Sequence, residues 1–445
     1  MDIKRILFCI VLSCVSAVGP APAVLEASEP EARDGSDQEV RRELAEMRKA
    51  LQEVRRTVES QSELIKKQQA RIEELERRLI QPAAPAPSSM EPGISAPAPS
   101  AGKGLGLPGQ IGSALPEIGL VGDIVATSSE DSGDADGNDR ISAREIELVV
   151  GGYVDPYSRF DATFAFSDFE AADVEEAYLT RWGLPWDLTA RFGRFFPKVG
   201  KQAAIHRDQL STVDEPLVIR RYLGSEGYFR AGVDLSRVLE GPGGWVLEPS
   251  VGVLEGGVGD GGSAFGSSRS EPTLYSHLKT YKELTDSSGL ELGLTHLLGS
   301  KDGDGRFEVN LFGLDATYLH SMPAKKQLKL QGELFAQTRE EAFSIAGTGE
   351  TTQFDRHPWG GYLLADYRFA PQWSAGVRAD HVRLVETSGP RQYDQGLSAF
   401  LTFHQSEWAR WRLQLRHEER GPEKTDDSVM LQGTFAVGTH KHKIQ

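Results

Sequence analysis

Two groups of residues have spacings that could do chemistry. The stretch DADGNDRISAREIE begins at Asp134, and its oxygen-bearing residues Asp134, Asp136, Asn138, Ser142 and Glu145 fall at positions 1, 3, 5, 9 and 12 of a twelve-residue calcium loop. Farther on, in WARWRLQLRHEE, Arg410, Arg412 and Arg416 recur at even spacing. On an extended chain that spacing puts all three guanidinium groups on one face, a row of fixed positive charge able to attract and pass anions. Neither chemistry can be assigned until the elements carrying these residues are known.

The calcium loop fails on its surroundings. It needs a glycine at position 6, where the chain has Asp139, and a helix on each side. Instead Glu145 and Glu147 alternate with Ile146 and Leu148, the period of a strand. The stretch is read as an acidic loop tip feeding a strand, as is KDGDGRFE at Lys301. The alternative for both tips is weak divalent-ion binding alongside lipopolysaccharide. No metal site, cofactor or catalytic residue is assigned.

Period two dominates from about Ile118. Strand candidates include SRFDATFAF, LTARFGRFF, WVLEPSVGVL, KQLKLQGELFAQ, WGGYLLADYRF, WSAGVRADHVRLV, WARWRLQLRHEE and VMLQGTFAVG, with weaker ones near Gly119, Asp173 and Leu274. In all about sixteen are expected, each near the ~10 residues of a tilted barrel strand. Tight connections (VDPYS, GLPWD, LEGPGG, TDSSG, SMPAKK, FAPQ, HQSEW) alternate with long ones, among them TREEAFSIAGTGETTQFDRH and EERGPEKTDD. Short turns on one side and long loops on the other mark an outer-membrane barrel rather than a soluble sandwich. The expected fold is therefore an all-β transmembrane barrel of about 16 antiparallel strands over residues 112–445, preceded by an α-helical coiled coil.

The segments before the barrel follow from composition. Residues 1–23 read as a signal peptide, with Lys4 and Arg5, an apolar run from Ile6 and an Ala21-Pro22-Ala23 cleavage site. Cys14 in VLSC offers a rival lipid-anchor site. Both cysteines, Cys9 and Cys14, lie in this segment, which leaves no disulfide for the mature chain. Residues 38–81 carry a heptad seam with Leu44, Leu51, Val58, Ile65, Ile72 and Leu79 at a, and Val40, Met47, Val54, Gln61, Gln68 and Leu75 at d. This is a periplasmic coiled coil, and a homotrimer through it is compatible with the a and d residues. Residues 82–111 form a linker rich in Pro, Ala and Gly.

Within the barrel, polar residues should face the lumen and apolar ones the lipid. That places Arg410, Arg412 and Arg416 inward against Trp411, Leu413 and Leu415, with Lys329 inward on KQLKLQGEL. Arg378 and Asp380, like Asp366 and Arg368, are inward too, and pairing with lumen carboxylates is as good an account of these as transport. The Arg410, Arg412 and Arg416 row is less easily neutralised. A barrel of ~16 strands leaves a channel. The long segment from Lys198 to Ser225 is the expected inward loop, carrying Lys198, Lys201, Arg207, Arg220 and Arg221 against Asp208, Asp214 and Glu215.

LTARFGRFFPKVGKQAA followed by VDEPLVIRRYLGSEGYFRAGVDLS resembles the phosphate-selective porin O and P family, most clearly over 140–240. Phe195-Phe196-Pro197 and Asp214-Glu215-Pro216-Leu217 stand where that family has its strand-ending turn and its acidic loop piece. The resemblance implies a trimeric sixteen-stranded channel passing phosphate-like anions, with Lys198, Lys201, Arg220 and Arg221 in the motif region. The net charge of -16 and the ending HKHKIQ, without a terminal aromatic, depart from that pattern.

The expected function is a passive outer-membrane channel of a Gram-negative bacterium for small hydrophilic solutes, leaning to anions such as phosphate. Its partners would be membrane lipid, those solutes and a periplasmic envelope partner. The acidic balance argues against nucleic acid. The chain has no G-x-S-x-G or H-E-x-x-H motif, and it is not expected to be an enzyme. The alternative is an envelope tether, with the barrel as anchor and the coiled coil as spacer.

Overall fold

A computed structural model of the chain describes residues 116–130, 139–168, 172–344, 351–385, 392–421 and 424–438. The signal, coiled-coil and linker segments lie outside the described residues, as do Asp134, Asp136 and Asn138.

The strands are β1 (Glu117–Ser129), β2 (Arg140–Asp155), β3 (Ser158–Phe166), β4 (Asp173–Leu184), β5 (Leu188–Phe195) and β6 (Arg230–Ser236). Then come β7 (Leu239–Glu240), β8 (Val246–Leu254), β9 (Thr273–Thr285), β10 (Ser288–Ser300), β11 (Glu308–Met322) and β12 (Lys326–Ser344). The series ends with β13 (Thr351–Arg356), β14 (Trp359–Ala370), β15 (Trp373–Arg383), β16 (Tyr393–His404), β17 (Ala409–Arg420) and β18 (Lys424–Gly438). Because β6 and β7 both pair with β8, and β13 and β14 both pair with β12, the eighteen segments make sixteen antiparallel staves. β1 pairs with β18 from Gly119↔Gly438 to Ser129↔Ser428, which closes the barrel and removes both edges.

The alternation that sequence predicts sets the facing. On β17, Trp411, Leu413 and Leu415 are exposed while Arg410, Arg412, Gln414 and Glu418 are buried, and on β12 Leu330 and Leu334 are exposed against buried Gln331 and Glu333. Exposed aromatics gather at or beside the tight turns: Tyr157, Trp186, Trp373, Trp408 and Trp411. Such a girdle marks a membrane–water boundary.

Three expectations are corrected. Most of TREEAFSIAGTGETTQFDRH is strand: β12 runs on to Ser344 and β13 pairs back from Arg356 opposite Arg339. EERGPEKTDD is likewise mostly strand, with Arg420 opposite Lys424. The interior is also not polar throughout. Leu297, Val309, Leu311, Phe335, Leu364 and Val382 point inward and form one buried cluster with Phe195, Val199, Leu217, Val218, Ile219, Tyr222 and Tyr228. Polar–apolar alternation fails on these strands because their inner faces meet protein, not water. The apolar groups are removed from solvent at about 25 cal/mol per Å² of buried surface.

Candidate functional site

That protein filling comes from residues 196–229, the connection between β5 and β6. Its chain folds inward and touches the wall on nearly every side.

The connection begins on an acidic wall. Gly200 takes φ +59, and a Cβ there would lie 2.2 Å from Glu333 Oε2. Only glycine accepts both that conformation and that approach. The turn lets the backbone N–H groups of Lys201 and Gln202 donate to the two oxygens of Glu333 at 2.8 and 2.7 Å, while Gly200 N–H donates to Thr295 Oγ1 at 3.0 Å. Lys198 pairs with Glu248, and Lys201 with Glu291. Beyond it, Arg207 reaches Glu145 and Glu215 at 3.4 Å and Glu226 at 3.3 Å. His206 stands among Glu147, Glu175 and Glu176. Burial pulls its pKa down, but those carboxylates outweigh the effect and hold the imidazole well above its usual range.

The connection then crosses to a basic wall. Arg410 donates to the Asp208 carbonyl at 2.6 Å. Arg412 donates to the carbonyls of Leu210 and Thr212 at 3.0 and 2.9 Å, and also to Thr402 Oγ1 and Gln432 Oε1. All its acceptors are neutral, so its charge is not cancelled by contact. Lys329 donates to Ser211 Oγ.

Asp214 gathers Arg378 at 3.2 Å, Arg416 at 2.9 Å and Arg220 at 3.6 Å. Burial pushes its pKa up, but Arg378, Arg416 and Arg220 outweigh this and hold the carboxyl well below the ordinary carboxylate range. Next, Leu217 N–H donates to Asp380 Oδ1 at 3.0 Å and starts α1 (Leu217–Tyr222), whose Leu217, Val218, Ile219 and Tyr222 are buried. Arg220 pairs with Glu418 at 2.8 Å and Arg221 with Asp394 at 2.6 Å.

The ten basic residues singled out in the sequence thus fall into distinct settings. Lys198, Lys201, Arg207, Arg220 and Arg221 are all on the inward connection, and each meets a wall or loop carboxylate. Arg378 is paired with Asp380 and Asp214. Arg416, expected to be hard to neutralise, pairs with Asp214, Asp426 and Glu418; the last two flank it on the neighbouring strand and its own. Arg410, Arg412 and Lys329 hold the connection through carbonyl and hydroxyl oxygens. Sequence reasoning did not pick out His206, Glu147, Glu175 or Glu176, since nothing in the linear order brings positions 147, 175 and 206 together.

Fold and site together define a sixteen-stranded porin-type barrel with an inward-folded loop. No family model matches the chain. An uncharacterized protein of Aquifex aeolicus is 26% identical over 323 residues, 66% of this chain and 68% of that protein. Among solved structures, the chain is similar to the anion-selective porin from Comamonas acidovorans, with TM-score 0.50, 10% identity, and 72% of this chain and 99% of that one covered. The outer membrane channel DcaP of Acinetobacter baumannii gives TM-score 0.47 and 11% identity over 72% of this chain and 96% of its own.

Proposed function

We propose that the protein is a porin of a Gram-negative outer membrane, a passive channel for small hydrophilic solutes leaning to anions such as phosphate. The observation that carries this reading is the inward loop: it crosses a closed barrel and leans on Arg412 and Lys329 through neutral oxygens, so no carboxylate in contact cancels those positive charges and their field reaches the passage. Most other interior cations are balanced by carboxylates, which limits the lean to that stretch of wall. The signal peptide delivers the chain to the envelope, the coiled coil at 38–81 trimerises it in the periplasm, and the linker at 82–111 joins the two.

The test is single-channel conductance of the refolded chain in a planar bilayer, with reversal potential under a salt gradient. Steady steps with anion-biased reversal support the proposal. Cation bias keeps the channel and removes the phosphate-like solute.

A second reading is favoured by the apolar packing of Leu217, Val218, Ile219 and Tyr222 against Leu364 and Val382. A loop held this firmly suits a sealed barrel serving as anchor for a tether, with an envelope partner on the coiled coil. A folded chain that carries no current supports that reading.

A further inference from the structure

The corner where β2, β4 and the inward connection meet has a donor set that the channel reading does not use. Glu147 comes from β2, and Glu175 and Glu176 from β4, while His206 comes from the connection; all four are buried. The β3–β4 pairing shifts register there, Thr163 facing Glu176 and Phe164 facing Val174, so Glu175 is the extra residue of a β-bulge. A bulge re-aims a side chain that simple alternation would send outward. Two consecutive carboxylates consequently converge on one imidazole.

The imidazole is arranged asymmetrically. Its Nε2 faces Glu176 Oε2 at 3.1 Å, and Phe196 N–H donates to the other oxygen of Glu176 at 3.5 Å. Its Nδ1 faces Glu175 Oε2 at 3.1 Å and Glu147 Oε1 at 3.6 Å. One ligand atom from each of Glu147, Glu175 and His206 lies within 4.8 Å of the others. Ligand atoms each ~2.1 Å from a tetrahedral ion stand about 3.4 Å apart, so the two Nδ1 separations match a shared ion. A carboxylate accepting the far N–H of a ligating histidine is also the usual outer support of a metal-bound imidazole, and Glu176 occupies that position.

We propose that His206 Nδ1, Glu147 and Glu175 bind one divalent transition-metal ion of the zinc or manganese class. Glu176 accepts the Nε2 hydrogen and fixes the ring. On binding, the ion takes the place of the Nδ1 proton, which leaves to solvent, and no electron is transferred. Two carboxylates and a dication sum to zero charge in a buried corner, and the imidazole nitrogen favours a transition metal over calcium. The ion would clip residue 206 of the connection to the barrel wall.

The test uses the full refolded chain, stripped with chelator and dialysed to equilibrium against micromolar zinc, with bound metal counted by mass spectrometry. It is run in a His440→Ala, His442→Ala background, which removes the imidazoles of the HKHK tail. About one zinc per chain is expected, falling to about none in His206→Gln and in Glu175→Gln. Absence of zinc in the parent, or equal zinc in parent and variants, overturns the proposal. If either variant fails to show the heat-modifiable mobility of a folded barrel, zinc-edge absorption of the parent decides. One imidazole with oxygen neighbours supports the site; several imidazoles, or oxygen alone, overturns it. None of these readouts depends on conduction.

Discussion

Arg378 donates from Nη1 to the carbonyl oxygen of Asp214 at 2.6 Å, while its Nη2 meets Asp214 Oδ1 at 3.2 Å. One wall guanidinium thus grips both the backbone and the side chain of one loop residue, and Asp380 steadies it from its own strand at 2.7 Å. Breaking one side of a buried ion pair typically costs ~3–5 kcal/mol because the remaining charge is left uncompensated. Asp214→Asn takes one carboxylate from Arg378, Arg416 and Arg220 at once, leaving them Asp380, Asp426 and Glu418. Amide exchange of residues 208–216 is expected to rise about a hundredfold, the equivalent of ~3 kcal/mol of local stability, while the strands stay protected. Exchange read by mass spectrometry checks this, and unchanged rates in that peptide would show that the apolar packing alone seats the loop.

The same residue gives the seat a pH dependence of definite sign. Asp214 has a lowered pKa in the seated loop, so its contribution is complete above the ordinary carboxylate value of about 3.9 and is lost as pH falls toward the seated value. Asp380 and Glu418 share the same arginines and Arg220, so the comparison must isolate Asp214. After correction for intrinsic rates, exchange of residues 208–216 should climb as pH falls below about 4 in the parent and stay flatter in Asp214→Asn. A parent profile as flat as that of the variant would remove Asp214 from the account.

Gly200 is expected to be the least replaceable residue of the connection's first turn. A valine there must adopt φ near +59 and displace the Glu333 carboxylate that accepts the Lys201 and Gln202 amides. Strain of this kind costs on the order of 1–3 kcal/mol, and the freed amides add to it. Gly200→Val should lower the thermal midpoint measured by circular dichroism and open the 198–210 stretch to trypsin. Gly243, at φ +68 with open space around a Cβ short of Lys282, sits in a tight turn and is the control for φ alone.

How much of this was legible in the sequence depends on what each face meets. On β17, one row meets lipid and the other meets protein polar groups, so alternation placed Arg410, Arg412 and Arg416 inward without ambiguity. On β15, Val382 looks outward by hydrophobicity but points inward, because the partner that covers it, Leu217–Tyr222, is about 160 residues away in sequence. Pairing was equally illegible. Nothing near Arg416 in the chain announces Asp214, and alternation cannot foresee the bulge that turns both Glu175 and Glu176 toward His206. Local period was readable; long-range contact was not.

The proposed lean to anions rests on Arg412, whose guanidinium meets the Leu210 and Thr212 carbonyls, Thr402 and Gln432, and on neighbouring Lys329. Two unit charges ~4 Å apart interact by about 4 kcal/mol at an effective dielectric of 20, ample to bias which ion enters a narrow passage. Neutralising Arg412 as glutamine keeps a donor for the loop carbonyls while removing the charge. Arg412→Gln should shift the reversal potential toward cations with little change in step size, and adding Lys329→Gln should shift it further. Arg416→Gln should shift it less, since Asp214, Asp426 and Glu418 already surround that guanidinium. An equal shift from Arg416 and Arg412 would mean that contact with carboxylates does not silence a charge in this lumen, and that selectivity follows the total interior charge instead.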